Sequence, residues 1–428
     1  MKIDSKVCEG NELLKTPPST SFGGSKYKFI GKEHTIGFDE GVLSKHLAFL
    51  GSIGTGKTTA ILQLIGQIKR LLGKDDVLIV FDSKGEFRQA FATPGDIVIG
   101  SENSGGSHGL RKAQDHWNIF NEIDKGHLEE SINEISRSLF FEKLRDAKEP
   151  FFPKAATDLF GACLHLFCKS GQDMNNQALR EFFDEYGPAE LKTALEDEPE
   201  LKAVAGYFSG SDNLAYSVYV ELQQLVREIF IGGFRKSGEL SMRKLVRDKG
   251  GKSVFIEYDL GVGNTLTPIY RLLFDMAIKE ALSRKNKSGN VFLICDEFKL
   301  VPNLQHIDDA VNFGRSLGLK LAIGVQNVSQ LYDIYGKYRT ESILSGFSTL
   351  ICFRLNDEAS RRYTQGAFGN NRKVEAFLPA VHSRGLTEHS RVSHVVEDWD
   401  IARLAVGESI IGFPGAEPFI FRFKNLFG

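Results

Sequence analysis

The segment Gly51–Thr58 constrains the fold of this chain more than any other feature. Its sequence, Gly-Ser-Ile-Gly-Thr-Gly-Lys-Thr, fits the phosphate-binding loop pattern G-x-x-x-x-G-K-[ST]. An apolar run, Leu47–Leu50, precedes the loop, and a pattern typical of an amphipathic helix follows it. The sequence therefore predicts a strand–loop–helix unit that binds a nucleoside triphosphate at the helix N-terminus.

The loop and the first turn of this helix carry the predicted phosphate and metal ligands. Glycines in the loop let successive backbone N–H groups point at the phosphates. Lys57 can reach the β- and γ-phosphate oxygens, and the hydroxyl of Thr58 can ligate Mg²⁺. ATP and Mg²⁺ are the expected cofactors. The predicted nucleotide-binding residues are Gly51, Ser52, Gly54, Thr55, Gly56, Lys57, Thr58 and Thr59.

Short apolar runs bounded by Asp, Gly or Lys recur near both ends of the chain. Continuous runs of this kind are typical of a parallel sheet that is covered on both faces. The runs predicted as strands are Val77–Asp82, Ser253–Tyr258, Val291–Asp296, Leu319–Gly324 and Thr349–Phe353. The sequence therefore predicts an α/β fold with a mainly parallel central sheet flanked by helices.

The chain of 428 residues is long enough for two or three domains. Between about residues 122 and 230 the strand-like runs stop, and apolar residues recur at helical spacing. We therefore predict an all-α domain at 122–230, inserted into a nucleotide-binding domain that consists of residues 26–121 and 231–428. Residues 1–25, which are rich in Pro, Ser, Thr and Gly, are predicted to form a flexible tail.

A second motif is an apolar strand that ends in two carboxylates, Asp296 and Glu297. This is the pattern of a Walker B motif. Asp296 is expected to hold Mg²⁺ together with Thr58. Glu297 is the natural general base that polarises the attacking water. A glutamate directly after the aspartate indicates hydrolysis of ATP rather than nucleotide sensing alone.

Two residues downstream of the carboxylates are further catalytic candidates. Gln326 ends the next predicted strand, where its amide can sense the γ-phosphate and orient water. Arg315 lies on the loop before that strand and can act across a subunit boundary as an arginine finger. The alternative interpretations are that Gln326 is only a polar residue at the end of a strand and that Arg315 is an ordinary surface arginine.

Together these motifs resemble the type IV coupling proteins, the TraD/TraG/TrwB-like ATPases of conjugation and type IV secretion in the FtsK–HerA branch of RecA-like motors. The resemblance extends over about residues 26–428. Its most diagnostic part is the ordered run Asp296-Glu-Phe, Gly-Arg315, Gln326, Gln330-Leu and Tyr335-Gly. Further similar segments are Phe81–Glu86, Trp117–Phe120, Pro150–Ala156 and Gly407–Pro418.

The resemblance implies a RecA-like P-loop NTPase domain in an ATP-hydrolysing DNA translocase. It implies that Arg315 is the trans-acting finger and Gln326 the sensor. A coupling protein recruits conjugative DNA and relaxase substrates and pumps them to a type IV secretion channel. The resemblance also implies a homo-hexamer at work, and an all-α domain that contacts substrate and relaxosome proteins.

Coupling proteins usually begin with a transmembrane anchor, and no run of about 18 apolar residues is found in this chain. The sequence therefore predicts a cytoplasmic protein, with three alternatives for the anchor: an anchorless member, a shortened chain, or a chain that a partner subunit recruits to the inner face of the membrane. The formal net charge of −2 provides no basic excess, so DNA as a substrate rests on the resemblance. Arg361–Tyr363 and Asn370–Lys373 are candidate DNA contacts or ordinary solvated segments.

Two other functions remain open from the sequence. One is a HerA- or FtsK-like DNA translocase or helicase that acts in DNA processing. Such a helicase would normally carry an N-terminal β-barrel, for which the 50 residues before Gly51 are too few. The other is a nucleotide-dependent docking adaptor for secreted proteins, and the Asp296–Glu297 pair speaks against it.

Overall fold

The structure is a computed structural model that describes residues 2–101, 116–171, 173–209, 212–283, 288–377 and 387–426. The chain divides into two compact units. Unit 1 consists of residues 1–78, 287–303 and 307–428, and unit 2 consists of residues 79–286 and 304–306.

The strands of the described residues are β1 (Lys2–Glu9), β2 (Ser21–Phe22), β3 (Tyr27–Ile30), β4 (Thr35–Phe38), β5 (Leu47–Leu50), β6 (Val77–Asp82), β7 (Ile97–Ile99), β8 (Lys252–Glu257), β9 (Val291–Cys295), β10 (Leu319–Val325), β11 (Thr349–Phe353), β12 (Asn370–Phe377), β13 (Thr387–His394), β14 (Glu408–Gly412) and β15 (Phe419–Arg422).

The α-helices of the described residues are α1 (Glu40–Leu43), α2 (Lys57–Leu71), α3 (Glu86–Phe91), α4 (Leu128–Leu139), α5 (Phe141–Asp146), α6 (Phe151–Ser170), α7 (Asn176–Glu185), α8 (Pro188–Glu196), α9 (Lys202–Ala205), α10 (Asp212–Ile229), α11 (Met242–Asp248), α12 (Gly263–Leu282), α13 (Ile307–Phe313), α14 (Val328–Tyr335), α15 (Lys337–Ser345), α16 (Glu358–Phe368) and α17 (Asp398–Ala402).

Nine strands form one sheet in the order β15-β14-β11-β5-β10-β9-β6-β8-β7. In it, β5 pairs parallel with β10 and β11, β9 with β10, and β7 with β8, whereas β14 pairs antiparallel with β11 and β15. The strands β5, β6, β9, β10 and β11 are buried along their whole length, as expected of apolar strands covered on both faces. The predicted α/β fold is confirmed, and the five predicted strands are found with ends that differ by at most one residue.

The sequence predicts a flexible tail over residues 1–25, whereas the described residues of this segment include β1 and β2, which are paired with other strands. β1 pairs antiparallel with β12, which also pairs with β13, and β2, β3 and β4 form a second small sheet. Leu14 donates its N–H to the carbonyl of Pro418 (2.9 Å) and accepts from the N–H of Ile420 (2.9 Å). The partners of β1 and Leu14 lie in the C-terminal part of the chain. The composition of residues 1–25 therefore does not indicate these pairings.

The helices α4 to α10 belong to unit 2, and the described residues between 122 and 230 contain no strand. The apolar residues of α4 and α6 are largely buried, and these two helices pack on each other, as α6 and α10 do. At the two ends of this region, Asn118 donates to the carbonyl of Leu240 (2.9 Å) and Leu240 donates to the carbonyl of His116 (3.0 Å). The boundaries 122–230 remain a prediction, because the compact unit also includes β7, β8 and α12.

Candidate active site

The P-loop leaves the buried strand β5 at Gly51 and ends where α2 begins at Lys57. Gly56 caps α2 with a φ of 109°, a conformation that an L-residue rarely adopts. A Cβ atom on Gly56 would lie 2.8 Å from the Cα of Gly407. The loop therefore needs glycine at this position both for its backbone angle and for its contact with the segment that precedes β14.

Backbone groups of neighbouring segments hold the loop in shape. Gly51 donates its N–H to the carbonyl of Val325 (3.0 Å), at the end of the adjacent strand β10. Ser52 donates to the carbonyl of Arg354 (3.0 Å), and its hydroxyl accepts from the N–H of Asn356 (3.0 Å). The loop is thus braced from the carboxyl ends of β10 and β11.

Two hydrogen bonds of Thr55 complete this support. Its hydroxyl donates to the carbonyl of Ser52 across the loop (2.7 Å), and its own carbonyl accepts from the N–H of Gly407 (2.8 Å). The side chains of Ser52 and Thr55, predicted to bind nucleotide, therefore also shape the loop. The contribution of Gly407 was not predicted, and only a Gly in a turn before a strand signals it in the sequence.

The carboxylates that follow β9 lie at the same edge of the sheet as the P-loop. β10 separates β5 from β9, with Val325 opposite Leu50 and Ile323 opposite Cys295 in the two parallel registers. Asp296 and Glu297 are almost fully buried, with 7% and 6% of their surface exposed. The three strands therefore bring the P-loop and the Walker B residues to neighbouring strand ends, as predicted.

Gln326, the residue after β10, contacts the predicted base directly. Its amide Nε2 donates a hydrogen bond to Oε2 of Glu297. Gly324 allows β10 to approach the Walker B strand closely, because a Cβ atom there would lie only 2.0 Å from the carbonyl oxygen of Asp296. The structure thus places the predicted sensor against the predicted base, and it adds Gly324, whose signal is a glycine inside an apolar strand.

Charged groups of both motifs act on the thiol of Cys295. Burial raises the pKa of Cys295 well above its usual value, Asp296 raises it further, and Lys57 lowers it. Lys57 is 8% exposed. The charges of Lys57 and Asp296 thus both lie close enough to the buried Cys295 thiol to shift its pKa. This agrees with a single site formed by the P-loop and the Walker B strand.

Arg315 lies at the other end of β10. It is exposed on a 3-10 turn, Gly314–Leu317, that precedes the strand. β10 has seven residues, so its two ends are about 20 Å apart at the rise of a β-strand. The structure brings the P-loop, Asp296, Glu297 and Gln326 to one edge of the sheet but leaves Arg315 at the opposite edge.

Comparison with known proteins identifies the family of this chain. The family model described as the type IV secretion-system coupling protein DNA-binding domain matches residues 33–419. The chain belongs to this family of type IV coupling proteins. It is 21% identical to coupling protein TraD of Escherichia coli (strain K12) over 335 residues, which cover 76% of this chain and 44% of TraD. The chain thus matches less than half the length of this curated relative.

Solved coupling proteins have the same fold. Unbound TrwBdeltaN70, a bacterial conjugative coupling protein, superimposes with a TM-score of 0.73 at 17% identity and covers 99% of this chain and 93% of its own. The plasmid coupling protein TrwB in complex with the non-hydrolysable ATP analogue ADPNP gives 0.72 at 17% identity, with 99% and 94% covered. TrwB with ADP and Mg²⁺ gives 0.68 at 20% identity, with 91% and 87% covered.

Other segments that resemble coupling proteins have structural roles in unit 2. Trp117 is buried and donates its indole N–H to Glu122 (2.8 Å). Asp82 ends β6 and accepts from the N–H of Arg88 (2.8 Å), and burial raises the pKa of this carboxyl group. Among the helices of the described residues, none has the length and apolar character needed to cross a bilayer.

Arg361 is one of the residues that the sequence predicts as a DNA contact or as part of an ordinary solvated segment. Its side chain donates a hydrogen bond to the carboxylate of Asp398 (2.6 Å).

Proposed function

We propose that this chain is an ATP-hydrolysing, DNA-translocating motor that recruits conjugative DNA and relaxase substrates and pumps them to a type IV secretion channel. The observation that carries the proposal is the contact between Gln326 and Glu297 at the sheet edge that also holds the P-loop. A general base needs an oriented carboxylate beside the phosphate site, and the contact of Gln326 with Glu297 supports this role for Glu297. Membership of the coupling protein family favours this function over a DNA-processing helicase or a docking adaptor.

The site fits ATP and Mg²⁺. The left-handed Gly56 leaves no room for a side chain at the start of α2, and Lys57 and Thr58 form the first turn of that helix. Residues Gly51 to Thr59 would hold the triphosphate, and Thr58 and Asp296 would hold the metal. The bound metal would supply positive charge that offsets the charge developing on the phosphates. The structures of TrwB with ADPNP and with ADP and Mg²⁺ support both ligands.

Four residues of the chain have separate roles in the proposed hydrolysis of ATP. Glu297 takes the proton of the attacking water, while Gln326 holds the Glu297 carboxylate in place through its amide donor. Lys57 binds the phosphate oxygens. Arg315 reaches the phosphates of a neighbouring copy and neutralises transition-state charge there, because it lies too far from the P-loop of its own chain. This division requires a ring of copies, and we propose a homo-hexamer that a partner subunit recruits to the membrane.

The decisive experiment is ATP turnover by the whole chain, with and without single- and double-stranded DNA, with the oligomeric state recorded in the same sample. We expect turnover that rises with DNA and with assembly. Lys57→Ala should abolish it, whereas Lys32→Ala, an exposed lysine outside the loop, should not change it. Turnover that ignores DNA in an assembled ring would rule out the translocase. ATP binding without hydrolysis would instead support the docking adaptor.

A further inference from the structure

Glu297 and Arg315, the two proposed catalytic groups, belong to unit 1, but three residues between them in sequence belong to unit 2. Residues 304–306 belong to unit 2, although the chain on either side of them belongs to unit 1. In sequence they stand between Glu297 and Arg315, and α13 begins directly after them. Two carboxylates of unit 2, Asp275 of α12 and Glu134 of α4, bind Gln305 and His306 of this segment. The connection between the proposed base and the proposed finger is therefore held near its middle.

Asp275 binds the backbone of this segment. Its Oδ1 accepts from the N–H of Gln305 (2.9 Å) and of His306 (3.3 Å). Its Oδ2 is buried and has no hydrogen-bond partner among the described residues. Burial raises the pKa of this carboxyl group to about 6, so Oδ2 is the atom that takes the proton when the pH falls below that value.

Glu134 binds the side chain of the same segment. Its Oε1 lies 2.7 Å from Nε2 of His306, and its Oε2 forms an ion pair with Lys279 of α12. Burial lowers the pKa of His306, but the hydrogen bond to Glu134 and the charges of Asp275 and Glu134 outweigh this and raise it overall, against the opposing charge of Lys279. Arg271 faces Asp275 from α12 and lowers the pKa of that carboxyl group. His306 is thus the segment's cationic contact with α4.

We propose that Asp275 and the Glu134–His306 pair form an anchor that couples the helices of unit 2 to ATP turnover, by holding the connection between Glu297 and Arg315. This inference rests on the proposed function, and it adds that the helices of unit 2 regulate the proposed ATP turnover. A substrate or partner that displaces α4 moves His306, and the chain then carries the displacement to Glu297 on one side and to Arg315 on the other. The three anchor residues are positioning residues, since none of them lies in the P-loop or Walker B site.

The first test does not depend on hydrolysis. Amide hydrogen exchange is measured over residues 298–315 of the full chain without nucleotide, in Glu134→Gln and in a matched control, Glu130→Gln. Glu130 is exposed one turn earlier on α4. We expect several-fold faster exchange in Glu134→Gln and wild-type exchange in Glu130→Gln. Equal exchange in all three proteins would overturn the anchor.

The second test uses the pH profile of ATP turnover. The His306 cation pairs with Glu134 below its raised pKa and loses that charge as the pH rises through it, so wild-type turnover should step down there. His306→Gln keeps a neutral donor and should lack this step. Coinciding profiles would refute the coupling. If the wild type binds ATP but never hydrolyses it, the proposed function fails, and faster exchange in Glu134→Gln would still support the anchor.

Discussion

The two ends of β10 differ in burial and in the contacts that their residues make. At its carboxyl end, Gln326 contacts the buried Glu297, and Val325 accepts a hydrogen bond from the first residue of the P-loop. At its amino end, Arg315 is exposed on a short turn. A single strand thus joins the proposed hydrolytic site at one edge of the sheet to an exposed arginine at the opposite edge. Under the proposed function, one copy would supply the base and the phosphate-binding loop, and the next copy would supply the finger.

Removing the proposed base should have the largest effect. We expect Glu297→Gln to lower ATP turnover by about 10²–10⁴-fold, the usual contribution of a general base, while ATP binding persists. Glu33→Gln, which changes an exposed glutamate in a loop of the same unit, is the control. Phosphate release and nucleotide binding are measured on the same samples. Turnover within a few-fold of the wild type would show that another group acts as the base.

Arg315→Ala tests the exposed end of the strand. Losing one preorganised charge from the transition state should lower turnover by about 10²–10³-fold. Arg315→Lys should restore little, since a lysine lacks the planar fork of donors.

Mixing Arg315→Ala chains with Lys57→Ala chains distinguishes a finger in trans from one in cis. Neither variant should hydrolyse ATP well by itself. In mixed rings, however, an intact P-loop of one copy meets an intact Arg315 of the next. Turnover should therefore reappear in the mixture. If the mixture stays as inactive as its components, Arg315 does not act between copies.

The sequence predicted the carboxyl end of β10 well because its determinants are local. A P-loop, an apolar run ending in two acids and a strand ending in Gln326 can each be recognised within a few residues. Parallel pairing of apolar strands then brings their carboxyl ends to one edge of the sheet.

What the sequence did not predict depends on contacts between distant segments. Gly407 supports Thr55 from near the C-terminus, β1 pairs with β12, and Asp275 binds Gln305 and His306. His46 is buried with a positive φ, and its Nδ1 accepts a hydrogen bond from the N–H of Leu321 (3.0 Å). Burial lowers its pKa to about 4, so it supports β10 as a neutral ring. Local patterns do not encode such pairings.

Gly324 tests how tightly β10 must approach the Walker B strand. A Cβ atom there would overlap the carbonyl of Asp296, so Gly324→Ala should lower the free energy of unfolding by about 1–3 kcal/mol, the usual cost of overpacking. Gly366→Ala is the matched control, since Gly366 lies inside α16 with open space around its Cβ position. That change should raise stability by about 0.5–1 kcal/mol, because alanine favours helix. Urea unfolding measures both, and equal shifts would contradict the close approach.

The smallest effect is expected from removing the amide of Gln326. Gln326→Met keeps the length of the side chain but removes the donor to Glu297, and one hydrogen bond to a carboxylate corresponds to about a tenfold loss of turnover. Gln177 offers a matched control, because it makes the same kind of contact with Glu181 (2.9 Å) on the exposed surface of α7. Gln177→Met should leave turnover unchanged. If the two variants behave alike, Gln326 only terminates its strand. A loss as large as that in Glu297→Gln would mean that the amide also acts on the water or the phosphate, and that the buried end of β10 carries a second catalytic group.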